Sequence, residues 1–229
     1  MNFINGQLYT MTNIVRLTFI LIITFSLVGC SEPDRPSVEL YVAVKRGDID
    51  QVERHIYWKT NINELNVDGQ SPLHVSASNG RMIIARLLLK NGADVNSKNI
   101  DGKTAVDLAL RNGRTEMADM LINKFAAEFD ATKSLFDITL QNIQDRDVIR
   151  FLSRKGAQFN HHNEAGLTPL IIAIKNNQRL LAKHLIANNA DVNTADKQNR
   201  LPLDIAIDMN NKDIIALLHA HGARQTTRN

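Results

Sequence analysis

The chain has 229 residues, of which 44% are apolar and 22% charged, the balance of a soluble globular protein. Its formal net charge of +3 is too small, and its basic residues are too scattered, to favour nucleic-acid binding. Aromatic residues make up only 5% of the chain, which fits thin stacked layers of helices better than one large core.

The first distinctive segment is an apolar run, residues 17–28, that directly follows Arg16. It is shorter than the roughly 20 apolar residues of a membrane-spanning helix, and this order of charge and apolar run is typical of a signal peptide. The run ends in LVGC, residues 27–30, which resembles the lipobox of bacterial lipoproteins. In that family the cysteine is lipidated and becomes the first residue after cleavage. The resemblance therefore predicts a signal peptide over residues 1–29, with Met11 as an alternative start, and lipidation of Cys30.

A short tether is predicted to follow, with residues 30–36 forming the lipidated cysteine and its linker. Residues 31–37, SEPDRPS, contain two prolines and no apolar residue. In Gram-negative bacteria an aspartate after the cysteine usually retains a lipoprotein at the inner membrane, so Ser31 favours the outer membrane. A short buried helix with an incidental cysteine is the alternative, but it does not explain why the chain's only cysteine stands here. We therefore expect a periplasmic protein that is held to the membrane by lipid alone.

The remainder of the chain repeats with a period of 33 residues. SPLH at 71–74 is followed at that distance by TAVD at 104–107, and TPLI at 168–171 by LPLD at 201–204. A second landmark, NGADVN or NNADVN, begins 20 residues after Ser71 and after Thr168. Self-similarity at this period is the signature of a repeat architecture.

This pattern resembles the ankyrin repeat, whose marks are T-P-L-H, a mid-repeat glycine, a leucine pair and G-A-D-x-N. The resemblance implies an all-α solenoid over residues 37–226, with about six stacked helix-turn-helix units and short β-hairpin loops. The approximate units are 35–66, 67–99, 100–130, 131–163, 164–196 and 197–226.

Individual residue types support this assignment on mechanical grounds. Pro72, Pro169 and Pro202 suit the first turn of a helix, where an N–H would have no partner. Ser71 and Thr168 precede two of them and are good helix caps. The recurring glycines, such as Gly80 and Gly113, suit the left-handed conformation that ends a helix. Asp-Gly pairs at 68–69 and 101–102 suit tight turns.

The fourth unit departs from the pattern. Residues 125–129, FAAEF, replace the G-A-D-x-N turn, and SLFD at 134–137 is a weak T-P-L-H. We expect a shortened or missing hairpin near residues 125–133, with Phe125 and Phe129 packed into the stack. An exposed contact patch formed by these phenylalanines is the alternative.

No catalytic site, metal site or cofactor site is predicted. The chain contains no phosphate-binding glycine loop, nucleophile elbow or HExxH sequence. His161 and His162 lie in a predicted loop and His219 and His221 at a helix end, without cysteines or carboxylates at ligand spacing. His74 is expected to hydrogen-bond within its own repeat, as that position does in the family.

A binding surface is implied by the resemblance, because partners of ankyrin proteins usually lie against the concave face of inner helices and hairpin tips. The expected contact residues are mostly basic or amide-bearing and favour an acidic protein surface. They are Lys45, Arg46, Asn79, Lys98, Lys103, Arg111, Asn112, Lys175, Asn176 and Arg200. An ordinary hydrated surface is the alternative. Tyr57 and Trp58 suggest either an interface anchor or a cap over the first unit.

The leading hypothesis for function is an immunity protein. Small exported lipoproteins built from helical repeats resemble those encoded beside antibacterial toxins, including phospholipase effectors of type VI secretion systems. The alternative is a periplasmic scaffold or chaperone for an envelope or oxidative-stress enzyme; an effector delivered into a eukaryotic host and a hydrolase are weaker hypotheses. We expect a protein partner, no nucleic acid, and a monomer in the free state.

Overall fold

The computed structural model describes residues 32–226, which contain twelve helices in six consecutive pairs. The pairs are α1 Leu40–Arg46 and α2 Ile49–Tyr57, α3 Pro72–Ser78 and α4 Met82–Lys90, α5 Ala105–Arg111 and α6 Thr115–Phe125, α7 Ala131–Leu140 and α8 Arg146–Arg154, α9 Pro169–Lys175 and α10 Arg179–Ala187, and α11 Pro202–Asp208 and α12 Lys212–Ala220. Each pair falls within one predicted unit, so the all-α repeat solenoid is confirmed. The predicted signal peptide and Cys30 lie outside the described residues, and within 32–226 no helix is long and apolar enough to cross a membrane.

The first helix of each pair, here called the inner helix, begins and ends where the sequence indicates. The hydroxyls of Ser71 and Thr168 accept hydrogen bonds from the backbone N–H groups of His74 and Ile171, and a proline follows each cap. Past the helix ends, the left-handed residues are glycines in the first three units, with φ near 70–83°. In the last three units they are Asn142, Asn177 and Asn210, because asparagine tolerates this conformation better than other non-glycine residues.

The core runs continuously along the stack, because each unit buries its apolar face only against its neighbours. Inner helices contribute residues such as Leu73, Leu135 and Leu170, and outer helices contribute Leu88 and Leu121, all at most 1% exposed. Consecutive inner helices pack closely in every step except the one from α5 to α7.

The projecting loops before the inner helices, here called tips, are tight turns rather than two-stranded hairpins. Asn66 shows the pattern: its carbonyl accepts from Gly69 N–H and its N–H donates to the carbonyl of Gln70. No β-strand forms within the described part of the chain. The backbone hydrogen bonds of each tip are limited to one turn. The expected β-hairpins are therefore too short to form paired β-strands.

The fourth unit lacks its tip, as the sequence predicts. Helix α6 continues to Phe125 and α7 starts at Ala131, so that residues 126–130 are the whole connection. The Asp130 carboxylate caps α7 by accepting from the backbone N–H groups of Thr132 and Lys133. Phe125 and Phe129 are half-buried against the core, with the Phe129 ring 6.3 Å from that of Phe151. The packed arrangement of the two phenylalanines is therefore the correct one.

The register of this unit differs by one residue from the sequence alignment. Leu135 is fully buried like Leu73, and left-handed Asn142 corresponds to Gly80. Lys133-Ser134-Leu135-Phe136 therefore takes the place of T-P-L-H, and SLFD at 134–137 does not. A longer turn between the helices, residues 141–145 instead of the 79–81 of the second unit, makes up part of the lost length.

Removing the Thr168 hydroxyl that caps α9 should lower the free energy of unfolding moderately. Thr168→Ala deletes the acceptor for Ile171 N–H, and we expect the free energy of unfolding to fall by about 1 kcal/mol in urea titrations. Thr115→Ala is the control, because Thr115 is the first residue of α6 and Arg114, not Thr115, is its cap residue. Equal losses in the two variants would contradict the capping role.

Candidate partner-binding surface

The expected contact residues on the inner helices lie where consecutive helices end. Lys45 and Arg46 close α1, Arg111 closes α5 and Lys175 closes α9, and all four side chains are exposed. Basic residues suit this place because the helix dipole leaves partial negative charge at the C-terminus. The stacked units thus bring residues that are far apart in sequence onto one face.

The amide side chains of this face have structural roles. Nδ2 of Asn79 donates to the carbonyl of Val75 at 2.8 Å, and Nδ2 of Asn112 donates to that of Leu108 at 2.8 Å. Asn112 also reaches Ser78 Oγ in the neighbouring unit at 3.1 Å. These amides close the ends of their own helices, so each has less hydrogen-bonding capacity for a partner than the sequence suggests. Asn176 occupies the same place after α9 and is exposed.

Two of the three expected cations at the tips are paired within the protein. Nζ of Lys103 lies 2.7 Å from Asp137 Oδ2 on α7, and Arg200 Nη2 lies 2.8 Å from Asp196 Oδ2. Burial raises the pKa of the Asp196 carboxyl, but the backbone N–H and guanidinium of Arg200 outweigh it and hold the pKa below its usual value. Lys103 and Arg200 therefore stabilise their tips, whereas Lys98 is exposed and has no ion pair in the described chain.

The available cations at the ends of the inner helices form what we call the basic row: Lys45, Arg46, Arg111 and Lys175. Within residues 32–226 none of the four has a carboxylate within ion-pair distance. Exposed charges of one sign attract an oppositely charged partner and raise its association rate more than its final affinity. The arrangement can therefore recognise an acidic protein surface.

His74 connects two units through both ring nitrogens. Its Nδ1 accepts from Ser71 N–H at 3.2 Å and lies 2.7 Å from Ser71 Oγ, and its Nε2 lies 3.0 Å from the carbonyl of Lys103. The expected bond within its own repeat is confirmed, and the bond to the next tip is an addition. This arrangement requires the neutral ring, because a proton on Nδ1 would face the Ser71 N–H donor.

Stability should fall in acid because of this histidine. Burial lowers the pKa of His74 below its usual 6.5, although the carbonyls and carboxylates around it act in the opposite direction. The unfolded chain then binds a proton near pH 6.5 while the folded chain does not, so the free energy of unfolding is highest above that pH and decreases below it. His74→Ile, which copies Ile171 of the fifth unit, should lose less stability between pH 7.5 and 5.5 in urea titrations. A loss equal to the wild type's would contradict this role, and exposed His161→Gln serves as the control.

The other residues singled out in the sequence do not assemble a chemical site. Within residues 32–226 no three His, Cys, Asp or Glu side chains are close enough to bind a metal ion together. His162 Nε2 bonds the carbonyl of Ala195 at 2.7 Å. Tyr57 is 51% exposed and meets Trp58 edge to face at 5.6 Å, which is compatible with an interface anchor.

Comparison with known families gives a match to "Ankyrin repeats (3 copies)" over residues 40–133 and 138–229. The chain is 32% identical to the ankyrin repeat protein FPV031 of fowlpox virus (strain NVSL) over 198 residues, which are 83% of this chain. It spans only about half (49%) of that viral protein.

Solved structures with similar folds come from several sources. The ankyrin repeat domain of Bcl-3, a member of the IkappaB family, superposes with a TM-score of 0.66 at 22% identity, over 86% of this chain and 91% of that one. A chain in the complex of the predatory endopeptidase Bd0816 of Bdellovibrio bacteriovorus with immunity protein Bd3460 gives 0.61 at 22% identity, over 81% and 99%.

Proposed function

The chain belongs to the ankyrin-repeat family, and we propose that it is a membrane-tethered periplasmic immunity protein that neutralises a toxin by direct binding. Ankyrin repeats mediate protein–protein interaction, and proteins of the family are generally binding modules rather than enzymes. Beyond protein binding, which is common to the family, we propose a periplasmic location, a lipid tether and a toxin partner for this chain.

The observation that carries the proposal is the basic row on a rigid stack. Lys45, Arg46, Arg111 and Lys175 are spread over units one to five and have no ion pair within residues 32–226. A partner that neutralises them must cover a long surface, as a protein does and a small ligand does not. The solved complex of an endopeptidase with an immunity protein provides a precedent for this fold in that role.

The proposed lipid tether favours an envelope-acting toxin as the partner. A toxin that attacks the membrane or the cell wall meets a neutraliser sooner when that neutraliser is confined to the same surface. We propose a phospholipase effector of a type VI secretion system, whose active-site mouth would be covered by the inner-helix face. A peptidoglycan-cleaving endopeptidase is the other toxin class to be tested.

Deletion of the gene should make cells sensitive to siblings that carry the cognate toxin. We expect deletion cells to be killed in mixed culture, and the wild-type gene supplied on a plasmid to restore survival. Survival of the deletion strain equal to wild type would contradict the immunity role. If the neighbouring gene encodes a catalase or another housekeeping enzyme, and that enzyme loses stability in the deletion strain, the scaffold hypothesis replaces it.

A further inference from the structure

The row of tips has a gap between the third and the fifth unit. Tips are formed by residues 66–70, 99–103, 163–167 and 196–200, whereas residues 126–130 connect α6 to α7 without one. We call the space between tips 99–103 and 163–167 the gap.

Neighbouring tips elsewhere are joined by one backbone hydrogen bond. Ile100 N–H donates to the carbonyl of Gly69 at 3.1 Å, and Lys197 N–H donates to that of Gly166 at 3.1 Å. The side chain of each donor also covers the glycine: a Cβ placed on Gly69 would lie 2.5 Å from Cβ of Ile100. Each tip thus offers a carbonyl on one side and an N–H on the other.

At the gap, neither the carbonyl of tip 99–103 nor the N–H of tip 163–167 has a neighbouring tip to bond. The carbonyl of Gly102 accepts no hydrogen bond and the N–H of Glu164 donates none within the described residues. Gly102 is exposed, with no atom within 4 Å of a Cβ built on it, whereas Gly69 and Gly166 are buried. The two edges of the gap therefore expose to solvent the two backbone groups that pair between the other tips.

An open cleft beside the tip of the fifth unit is lined by both polar and apolar side chains. Phe136 is half-buried and Leu140 is 59% exposed, and both line a cavity of about 930 Å³ together with His161 and His162. The nearby Lys133 side chain has no ion pair in the described chain. Pockets of roughly 300–1,000 Å³ hold drug-sized ligands, which are comparable in size to a few residues of a peptide.

We propose that the partner inserts a tight turn into the gap and so replaces the missing tip. The turn would donate an N–H to the Gly102 carbonyl, accept from Glu164 N–H, and rest an apolar side chain on Phe136 and Leu140. This is backbone recognition of the kind used in strand addition, confined to one turn. The partner's turn should carry Asn or Asp first and Gly or Asn fourth, because all four tips of this chain do. The proposal depends on the proposed function only in taking the partner to be a protein.

A peptide probe tests the gap without the natural partner. The probe is a disulfide-closed hairpin that carries the chain's own tip sequence NIDGK, residues 99–103, titrated into the mature protein. We expect saturable binding in NMR spectra, with the Glu164 amide among the largest shifts. An unmoved Glu164 amide at millimolar peptide would overturn the proposal. A shift with protein concentration alone would show that a second copy fills the gap, and would overturn it too.

Removing the Glu164 N–H gives the matched variant. Proline suits the second position of this turn, so Glu164→Pro deletes the donor and leaves the turn possible. We expect peptide binding to weaken about tenfold, as for one lost hydrogen bond left unmade in a buried site. Val67→Pro is the control, because Val67 holds the same position in the first tip and its N–H donates no hydrogen bond to another tip within residues 32–226. Equal affinity of the Glu164→Pro variant and wild type would contradict the role of this N–H.

The sibling-killing experiment separates this proposal from the proposed function. If the wild type protects cells, Glu164→Pro should protect less than Val67→Pro at equal protein levels. Equal protection by the two variants would place the toxin elsewhere while leaving immunity intact. Failure of the wild type to protect would contradict immunity, and the peptide titration would still decide whether the gap binds a turn.

Discussion

Replacing Cys30 with alanine should abolish lipoprotein processing and with it the lipid anchor. The chain's only thiol is the only group that a lipobox pathway can modify, so the variant should stay uncleaved by the lipoprotein route and lack acyl chains. Two or more acyl chains give stable anchoring, so the variant loses the lipid anchor and keeps only the uncleaved apolar run, residues 17–28, unless another peptidase removes it. Fractionation should therefore move the protein from a nearly complete membrane association to the soluble periplasm or to an unprocessed precursor.

Ser31→Asp is the matched control for this prediction. It leaves Cys30 in place, so lipidation should continue, and the protein should move from the outer to the inner membrane on a density gradient. A Cys30→Ala protein that is properly cleaved and still sediments with membranes would show that the anchor lies elsewhere.

Reversing two charges of the basic row should weaken partner binding strongly. In the double variant Arg111→Glu, Lys175→Glu, two exposed cations that form no ion pair in the described part of the chain become acidic. An acidic partner is then repelled, and we expect its association rate to fall by roughly 10- to 100-fold at low salt. The loss should shrink as ionic strength rises, because exposed charges are screened. Surface plasmon resonance at two salt concentrations measures both effects.

The control reverses the same number of charges on the outer helices. Lys90 and Lys124 are exposed on α4 and α6, so Lys90→Glu, Lys124→Glu changes the net charge equally without touching the inner-helix face. Equal slowing by both double variants would mean that only net charge matters. An unchanged rate in Arg111→Glu, Lys175→Glu would place the binding site on another face.

The fold could be predicted from the sequence because each unit carries the same local signals for the start and the end of its helices. A cap such as Ser71, a proline such as Pro72 and a glycine such as Gly80 set the two ends of an inner helix locally. The same local signals predicted the short connection after Phe125. They could not locate the start of α7, because its cap, Asp130, replaces a threonine at a different distance from the buried Leu135.

The binding surface could be predicted only in part, because ion pairs across the stack join residues that are distant in sequence. Lys103 meets Asp137 across two units, and the Asn79 and Asn112 amides turn back to their own helices. The two amide bonds are local and recur 33 residues apart, but neither local signals nor the repeat indicates the Lys103–Asp137 pair. The sequence also gives no sign of the free backbone groups at Gly102 and Glu164. They are free because the fourth unit, which lies between these two tips in the stack, forms no tip of its own.

The most direct test is calorimetric titration of the mature protein with the proposed toxin partner, combined with an assay of the toxin's hydrolytic activity. The account predicts a tight one-to-one complex in which the toxin is inactive, and weaker binding in higher salt. An active toxin that shows no heat of binding to the folded mature chain would contradict neutralisation by direct contact.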